Sequence, residues 1–456
     1  MATITIIYHL FYIFLICMEN NKLMHVPSMK TKIPGPKSQS MLREQQNYET
    51  RTVTYTDSFP IAVSRSRDSV ITDVDGNTFI DWMAGISVLN LGYSEGIIEA
   101  VKNQMDKTWH SLEIPTEARI GFLKALSESF PSNMQDYRSM FGISGADAVE
   151  TGVNIAHSVG GPKSPTIVFE GAYHGVSGGI ISATAGTKYR KTVYSKGQEV
   201  IRVPYPYSLW YKEDVSDILS NLRKLVQDNE AGYDRPDSIL VEPIQGEGGY
   251  IVPPQGFLKA LREFCDEYDL AMIVDEVQSG MGRTGKMWAF EHENITPDIV
   301  CISKSVGGGI PISVIHFRDD YDGKLPKPFH MGTYRANPLG LAAGEYVIRE
   351  IPKHLDRVKA DGEKLMKKFR SIDSERILEV RGKGFMIGVE LGKDGKPLKE
   401  NEMKNLKHSM LESGLIMHTC GHFGNVFRYM AALNIPDELN DMGFQIFKNV
   451  IERGVA

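Results

Sequence analysis

The chain has 456 residues, 42% of them hydrophobic and 24% charged, with a formal net charge of −6. That length supports a large core divided over two or more lobes, and the mild acidity gives no electrostatic reason to expect nucleic acid or a membrane surface as partner. The four cysteines, Cys17, Cys265, Cys301 and Cys420, are scattered with no CxxC pair, so they point to neither a metal site nor a disulfide framework and fit a reducing cytoplasm.

In chain order, Ile4 to Cys17 is an apolar run of 14 residues. A membrane span needs about 20, and no Lys or Arg precedes the run as the charged region of a secretory signal would. It reads as part of an extension over residues 1–33, disordered or ahead of a later start at Met18 or Met29, in preference to a signal or anchor. Lys30 to Gln46 is polar, carries Pro34 and Pro36, and reads as an extended arm. Ala62 to Trp82 alternates like short strands with a turn at Asp75-Gly76-Asn77. Ile97–Trp109 and Thr116–Phe130 have helical spacing of apolar residues.

From Met140 to Phe317 the pattern becomes strand, loop, helix, repeated. Strands are expected at Thr166–Phe169, Ser238–Val241, Ala271–Val274, Ile299–Ile302 and Ile312–Phe317. Helices are expected at Ala148–Ser158, Val215–Asn229 and Gly256–Tyr268. Such alternation predicts a mostly parallel α/β sheet covered by helices. Helical stretches follow at Leu339–Ile351 and His354–Ser371, and Ile377–Leu391 and Gly424–Leu433 read as short strands of a smaller α+β lobe.

The strongest chemical signal is Lys304, in Ser303-Lys304-Ser305-Val306-Gly307-Gly308-Gly309. A lysine just past a buried strand, followed by glycines that allow close backbone approach, is placed to form a Schiff base with an aldehyde cofactor. Asp275, at the end of the apolar run Ala271–Val274, is the natural partner for a pyridinium nitrogen. Ser144-Gly145-Ala146 precedes a helix start, where free N–H groups and the macrodipole bind phosphate; taken alone it reads first as a turn plus an N-cap. Gly171-Ala172-Tyr173-His174 supplies a ring to stack and a histidine beside it, or a packed loop. Glu242 and Glu247 lie in the Gly-rich loop EPIQGEGG after a buried strand, where open α/β sheets bind ligands. Thr333, before Pro338 and a helix, offers a hydroxyl for phosphate. Arg428 interrupts an apolar strand, so it must be paired or bind a carboxylate.

With these motifs in this order (SGADA, AYHG, EPIQGEGG, IVDEVQSGMGRTG, ISKSVGGGIP and GTYRANPLGLAAG), the chain from about Pro34 onward resembles the class III aminotransferases, the pyridoxal-phosphate enzymes of fold type I. The resemblance implies a large domain with a mostly parallel seven-stranded sheet, over residues 96–335, and a small α+β domain from both chain ends, residues 34–95 and 336–456. It implies pyridoxal 5′-phosphate held by Lys304, with Asp275 at the ring nitrogen, Gln278 near the phenolic oxygen, Tyr173 stacked on the ring, His174 near it and Glu242 in the pocket wall. Gly145 and Ala146 match the phosphate loop, and Thr333 the threonine supplied across a homodimer. Glu247 and Arg428 match a pair in which the glutamate masks the arginine for an amine donor and frees it for an α-keto acid. The short connection from Lys304 to GTYRANP, the Pro34-Gly35-Pro36-Lys37-Ser38 arm and the segment Trp109-His110-Ser111-Leu112-Glu113 resemble the diaminobutyrate aminotransferases, with Trp109 expected at the substrate. Transfer from another ω-amino donor, an aminomutase or racemase on the same scaffold, and a non-catalytic relative are the alternatives.

Overall fold

A computed structural model describes residues 26–160, 164–191, 197–211 and 214–453. The apolar run Ile4–Cys17 lies outside them. From Val26 the chain is packed: the Ser28 N–H donates to the Thr78 carbonyl at 3.3 Å, and the Ser28 carbonyl accepts from the Thr78 N–H at 2.9 Å. The expected arm over Lys30–Gln46 is instead mostly a helix, Pro36–Tyr48. The two prolines that suggested an extended chain mislead because Pro36 occupies the first helical position, where its missing N–H costs nothing. The N–H groups of Lys37 and Ser38 then donate to the Asp75 carboxylate, both at 2.8 Å. That cap comes from a turn far away in sequence, so no local pattern announces it.

Strands β1 (Val63–Arg67), β2 (Val70–Asp73) and β3 (Thr78–Asp81) form an antiparallel meander around the expected turn. The central sheet uses β4 (Arg138–Gly142), β5 (Thr166–Phe169), β6 (Val200–Val203), β7 (Ser238–Val241), β8 (Ala271–Asp275), β9 (Ile299–Ile302) and β10 (Ser313–Phe317). Its spatial order is β4-β10-β9-β8-β7-β5-β6. Only β10 runs against its neighbours. Every residue of β5, β7, β8, β9 and β10 is buried, which is why these segments read as continuous apolar runs. The edge strand β6, half-buried in alternation, lacked that signal. Helix Gly145–Gly160 lies directly on the sheet: a Cβ on Gly152 would come within 2.8 Å of Cys301 Sγ.

The smaller lobe carries β11 (Ile377–Lys383), β12 (Met386–Lys393), β13 (Lys396–Pro397), β14 (Leu415–Ile416), β15 (His418–Cys420) and β16 (Val426–Tyr429). β14 pairs parallel with β3, so the two chain ends build this lobe together. Trp82, fully buried after β3, packs edge-on against Tyr429 at 4.9 Å and Phe369 at 6.2 Å. Helices Glu400–Glu412 and Asp437–Arg453 complete the lobe and were not anticipated. The lobes are tied by the buried Arg283, which donates to Ala431 O and Asn90 Oδ1.

Candidate active site

The strand order brings the motifs together. β9, β8, β7 and β5 are consecutive neighbours, and at their carboxyl ends stand Lys304, Asp275, Glu242 and the Tyr173-His174 pair. This is the edge at which parallel sheets bind ligands. Lys304, Asp275, Glu242, Glu247, Tyr173, His174, Gln278, Gly145 and Ala146 all line one cavity of about 270 Å³. Widely separated sequence motifs therefore converge on a single small space.

Lys304 begins a short 3-10 turn, with φ of +50°. That left-handed value is uncommon for a side chain with a Cβ and marks a backbone held by its surroundings. Among the described residues the amine has no hydrogen-bond or ion-pair partner. Burial lowers its pKa, partly offset by the carboxylates of Glu247 and Asp275. An amine so placed loses its proton more readily than a surface lysine.

Asp275 is almost fully buried and doubly held. Its Oδ2 meets His174 Nδ1 at 2.8 Å, and its Oδ1 accepts from the Val277 N–H at 3.0 Å. Glu242 is held as firmly, accepting from the N–H groups of Tyr173 at 2.9 Å and Gly246 at 2.8 Å. Burial raises its pKa to about 7, with His174 opposing the shift and Asp275 adding to it. Tyr173 has its hydroxyl pushed up to about 12, by burial and then by neighbouring Tyr189 and Glu247. The ring of Tyr189 meets Tyr173 edge-on at 5.1 Å.

Glu247 and Arg428 form a charge-assisted hydrogen bond, with Arg428 only 1% exposed. Arg428 comes from β16 of the small lobe and Glu247 from the loop after β7, so the pair bridges the lobes. The Gly421 N–H reinforces the link by donating to Glu247 O at 2.9 Å. Burial opposes a charge on Glu247, but the Arg428 guanidinium, helped by Lys304 and His418, holds its carboxyl below the usual range. Among the described residues the buried Arg428 Nε has no partner.

Thr333 and Trp109 are not at the cavity of their own chain. Thr333 is exposed, with its carbonyl 2.8 Å from His110 Nε2. Trp109 is 63% exposed, and its carbonyl accepts from Asn337 Nδ2 at 3.0 Å. Conversely, Tyr55, Tyr189 and His418 belong to the surroundings of Glu247 and Arg428 and were missed. Tyr55 and His418 come from opposite ends of the chain and meet edge-on at 5.8 Å. No motif surrounds either of them, so only the folded lobe reveals them.

A family model, aminotransferase class-III, matches residues 52–451. The chain belongs to the class-III aminotransferases. It is 33% identical to a diaminobutyrate–2-oxoglutarate aminotransferase of Rhizobium meliloti (strain 1021), over 87% of this chain and 89% of that protein. It is also 33% identical to a 4-aminobutyrate aminotransferase of Mycobacterium leprae (strain TN), over 92% of this chain and 97% of that one. The fold matches an (S)-enantioselective omega-transaminase from Thermomicrobium roseum, with a TM-score of 0.82 at 22% identity over 91% of this chain and 98% of that one. It also matches the ornithine aminotransferase of Toxoplasma gondii ME49, with a TM-score of 0.79 at 24% identity over 93% and 96%. The fold is therefore that of the fold type I transferases, and the enzyme is a pyridoxal-phosphate-dependent aminotransferase.

The cavity of this aminotransferase fits that cofactor. Among the described residues, His174 Nε2 and Gln278 Oε1 are buried without partners, an arrangement that is costly unless a polar group completes it. At the start of helix Gly145–Gly160 the first N–H groups have no intrahelical acceptor. The residues there are small, and a Cβ on Gly145 would come within 2.9 Å of Val277 Cγ1. Close approach of an anion needs that absence of bulk. Among the described residues no helix is long and apolar enough to cross a membrane.

Proposed function

We propose that this aminotransferase takes the terminal amino group of an ω-amino or diamino acid, with 2,4-diaminobutyrate the leading donor, and passes it to 2-oxoglutarate. The observation that carries this reading is the Glu247–Arg428 ion pair beside Lys304. One guanidinium that can be masked or bared lets a single site accept two differently charged substrates in turn. Masked, it leaves room for a donor's uncharged chain next to the amine. Bared, it offers a planar fork to the carboxylate beside the keto group.

When bound, pyridoxal phosphate supplies an electron sink next to the carbon that loses its proton. Lys304 would hold it covalently through its amine and would then serve as the base that moves the substrate's proton. Asp275 would keep a proton on the ring nitrogen, and His174 fixes the carboxylate's orientation. Tyr173 and Gln278 would hold the ring, and Glu242 braces the Tyr173 backbone. Gly145 and Ala146 would hold the phosphate.

Thr333 and Trp109 act across a homodimer. Around them Leu112, Ile114, Met331 and Tyr334 are all large and exposed, an apolar surface of the kind that marks an interface. The three described cysteines are free and buried, in keeping with a cytoplasmic enzyme.

The test is a panel of 2,4-diaminobutyrate, 4-aminobutyrate, ornithine and simple amines against 2-oxoglutarate and pyruvate. The reading requires a terminal amino donor and an obligatory keto acid. Turnover without added keto acid would reassign the site to an isomerase chemistry. Light scattering at micromolar concentration checks the dimer, and a fully active monomer would remove Thr333 and Trp109 from the site.

A further inference from the structure

Helix Gly145–Gly160 begins with the Gly145-Ala146 pair read above as the phosphate loop, and the next residue, Asp147, ties that loop to a second element. One carboxylate oxygen faces back along the chain. Asp147 Oδ2 accepts from the Ile143 N–H at 2.9 Å. Ile143 directly follows β4, and a Cβ on Gly142 would come within 2.5 Å of that same oxygen, so the strand end is shaped around the carboxylate. The other oxygen holds a distant segment. Asp147 Oδ1 pairs with Arg335 Nη2 at 3.0 Å and lies 3.6 Å from His330 Nε2. One turn further along the helix, Thr151 Oγ1 is 3.2 Å from the His330 ring nitrogens.

His330 and Arg335 bracket Met331-Gly332-Thr333-Tyr334. The two flanking residues are half-buried, whereas all four between them are exposed. The segment is thus pinned at both ends to the helix start and projects between the pins, with Thr333 at its middle. Charge-assisted bonds are roughly twice as strong as neutral ones, which makes Asp147 the main hold. Among the described residues the buried Arg335 Nη1 has no partner. A buried donor without an acceptor is costly, so a group from outside this chain would complete the segment. A carboxylate one residue beyond a phosphate loop would also repel the anion, and Arg335 offsets that charge.

We infer that Asp147 is a positioning residue for the cofactor phosphate of the other subunit. Through Arg335 and His330 it sets the segment that offers Thr333, while its second oxygen steadies the phosphate loop of its own subunit. One side chain thereby links the two active sites without touching the cofactor in either. This rests on the homodimer reading above.

The test reads cofactor affinity, not turnover. Holoenzyme is dialysed to equilibrium against graded pyridoxal 5′-phosphate, and bound cofactor is read from its visible absorbance. Thr333→Ala should weaken binding roughly ten- to hundredfold, the range of a hydrogen bond to a charged group. Asp147→Asn should weaken it by a similar factor, because the one amide oxygen can keep the Ile143 N–H only by turning its NH2 group toward Arg335. The double variant should bind within about threefold of the weaker single one, since residues that act through one another do not add. Multiplied losses would mean that Asp147 acts on its own phosphate loop alone, and would overturn the inference. Wild-type affinity in Asp147→Asn would overturn it too. If Asp147→Asn fails to fold, Arg335→Gln replaces it in the same cycle with Thr333→Ala and is judged by the same two outcomes. Wild-type affinity in Thr333→Ala is a different result: it removes the homodimer role of Thr333, and the inference with it.

Discussion

The two walls of the active site are built on different principles. On the sheet side, Asp275 and Glu242 sit at strand ends, nearly buried, each held by two hydrogen bonds. Nothing there can move without leaving a buried polar group unpaired, which is what a fixed cofactor requires. Around the ion pair, Glu247, Arg428, Tyr55, Tyr189 and His418 come from four stretches of chain in both lobes. The Glu247–Arg428 ion pair crosses between the lobes there. In the function proposed above, one wall is fixed for chemistry and the other adjusts to the substrate. Mutations on the first should abolish turnover, and mutations on the second should redistribute it among substrates.

The largest effect is expected at Lys304. Lys304→Ala removes both the covalent anchor and the proton carrier, so turnover should drop by at least about 10⁴-fold. Borohydride treatment of wild type should leave the cofactor mass on the peptide containing Lys304, and on no other peptide. Appreciable turnover by Lys304→Ala would show that the fixed wall has been misread.

Next comes Asp275→Asn, which keeps the shape but surrenders the charge that holds a proton on the ring nitrogen. Turnover should fall about a thousandfold, on the order of 4 kcal/mol in the barrier. The cofactor should remain bound, because Lys304 and the helix start at Gly145 are untouched. Single-turnover rates with cofactor occupancy measured in parallel separate the two outcomes. A variant that retains cofactor and reacts within tenfold of wild type would make Asp275 a packing residue.

On the adjustable wall, Arg428→Gln should split the half-reactions. It removes the fork for the keto acid, so kcat/KM for 2-oxoglutarate should fall roughly a hundredfold. The loss with an amine donor should be several-fold smaller. The same change withdraws the cation that holds the Glu247 carboxyl low, leaving burial to push its pKa up. The donor reaction of the variant should therefore acquire a titration that wild type lacks. Equal losses for donor and acceptor would mean that the ion pair is structural.

The same division explains what the sequence disclosed. Lys304, Asp275, Glu242 and Tyr173 follow buried strands whose apolar runs mark them, and a strand end is a predictable place for a side chain that works. The helix Pro36–Tyr48 was concealed because its cap, Asp75, lies in a remote turn. Tyr55 and His418 were concealed because each sits in an unremarkable stretch and reaches the ion pair only when both chain ends fold into one lobe. Local pattern reports burial and backbone needs, and a site assembled from distant, half-exposed residues has neither signature.

The smallest effect is expected one residue from Asp275, and it separates the fixed wall from mere proximity to it. Glu276 is 1% exposed and is not among the residues that line the cavity. Its oxygens accept from the Phe290 N–H at 2.9 Å and the Ser279 hydroxyl at 2.6 Å. Burial raises its pKa from 4.5 to about 8, against those hydrogen bonds. A raised folded pKa means that the native state holds the proton more tightly than the unfolded chain does. Stability from this group is thus fully present below about pH 4.5 and is lost as pH rises toward about 8. Glutamine can accept from Phe290 and donate to Ser279 without ever ionising. Glu276→Gln should therefore match wild type in acid and become more stable than it by roughly a few degrees in Tm near pH 8. Turnover should stay within about twofold, because no group of Glu276 lines the cavity. Melting curves across that pH range make the comparison, and parallel pH slopes for the two proteins would show that the Glu276 carboxyl titrates normally in the folded state.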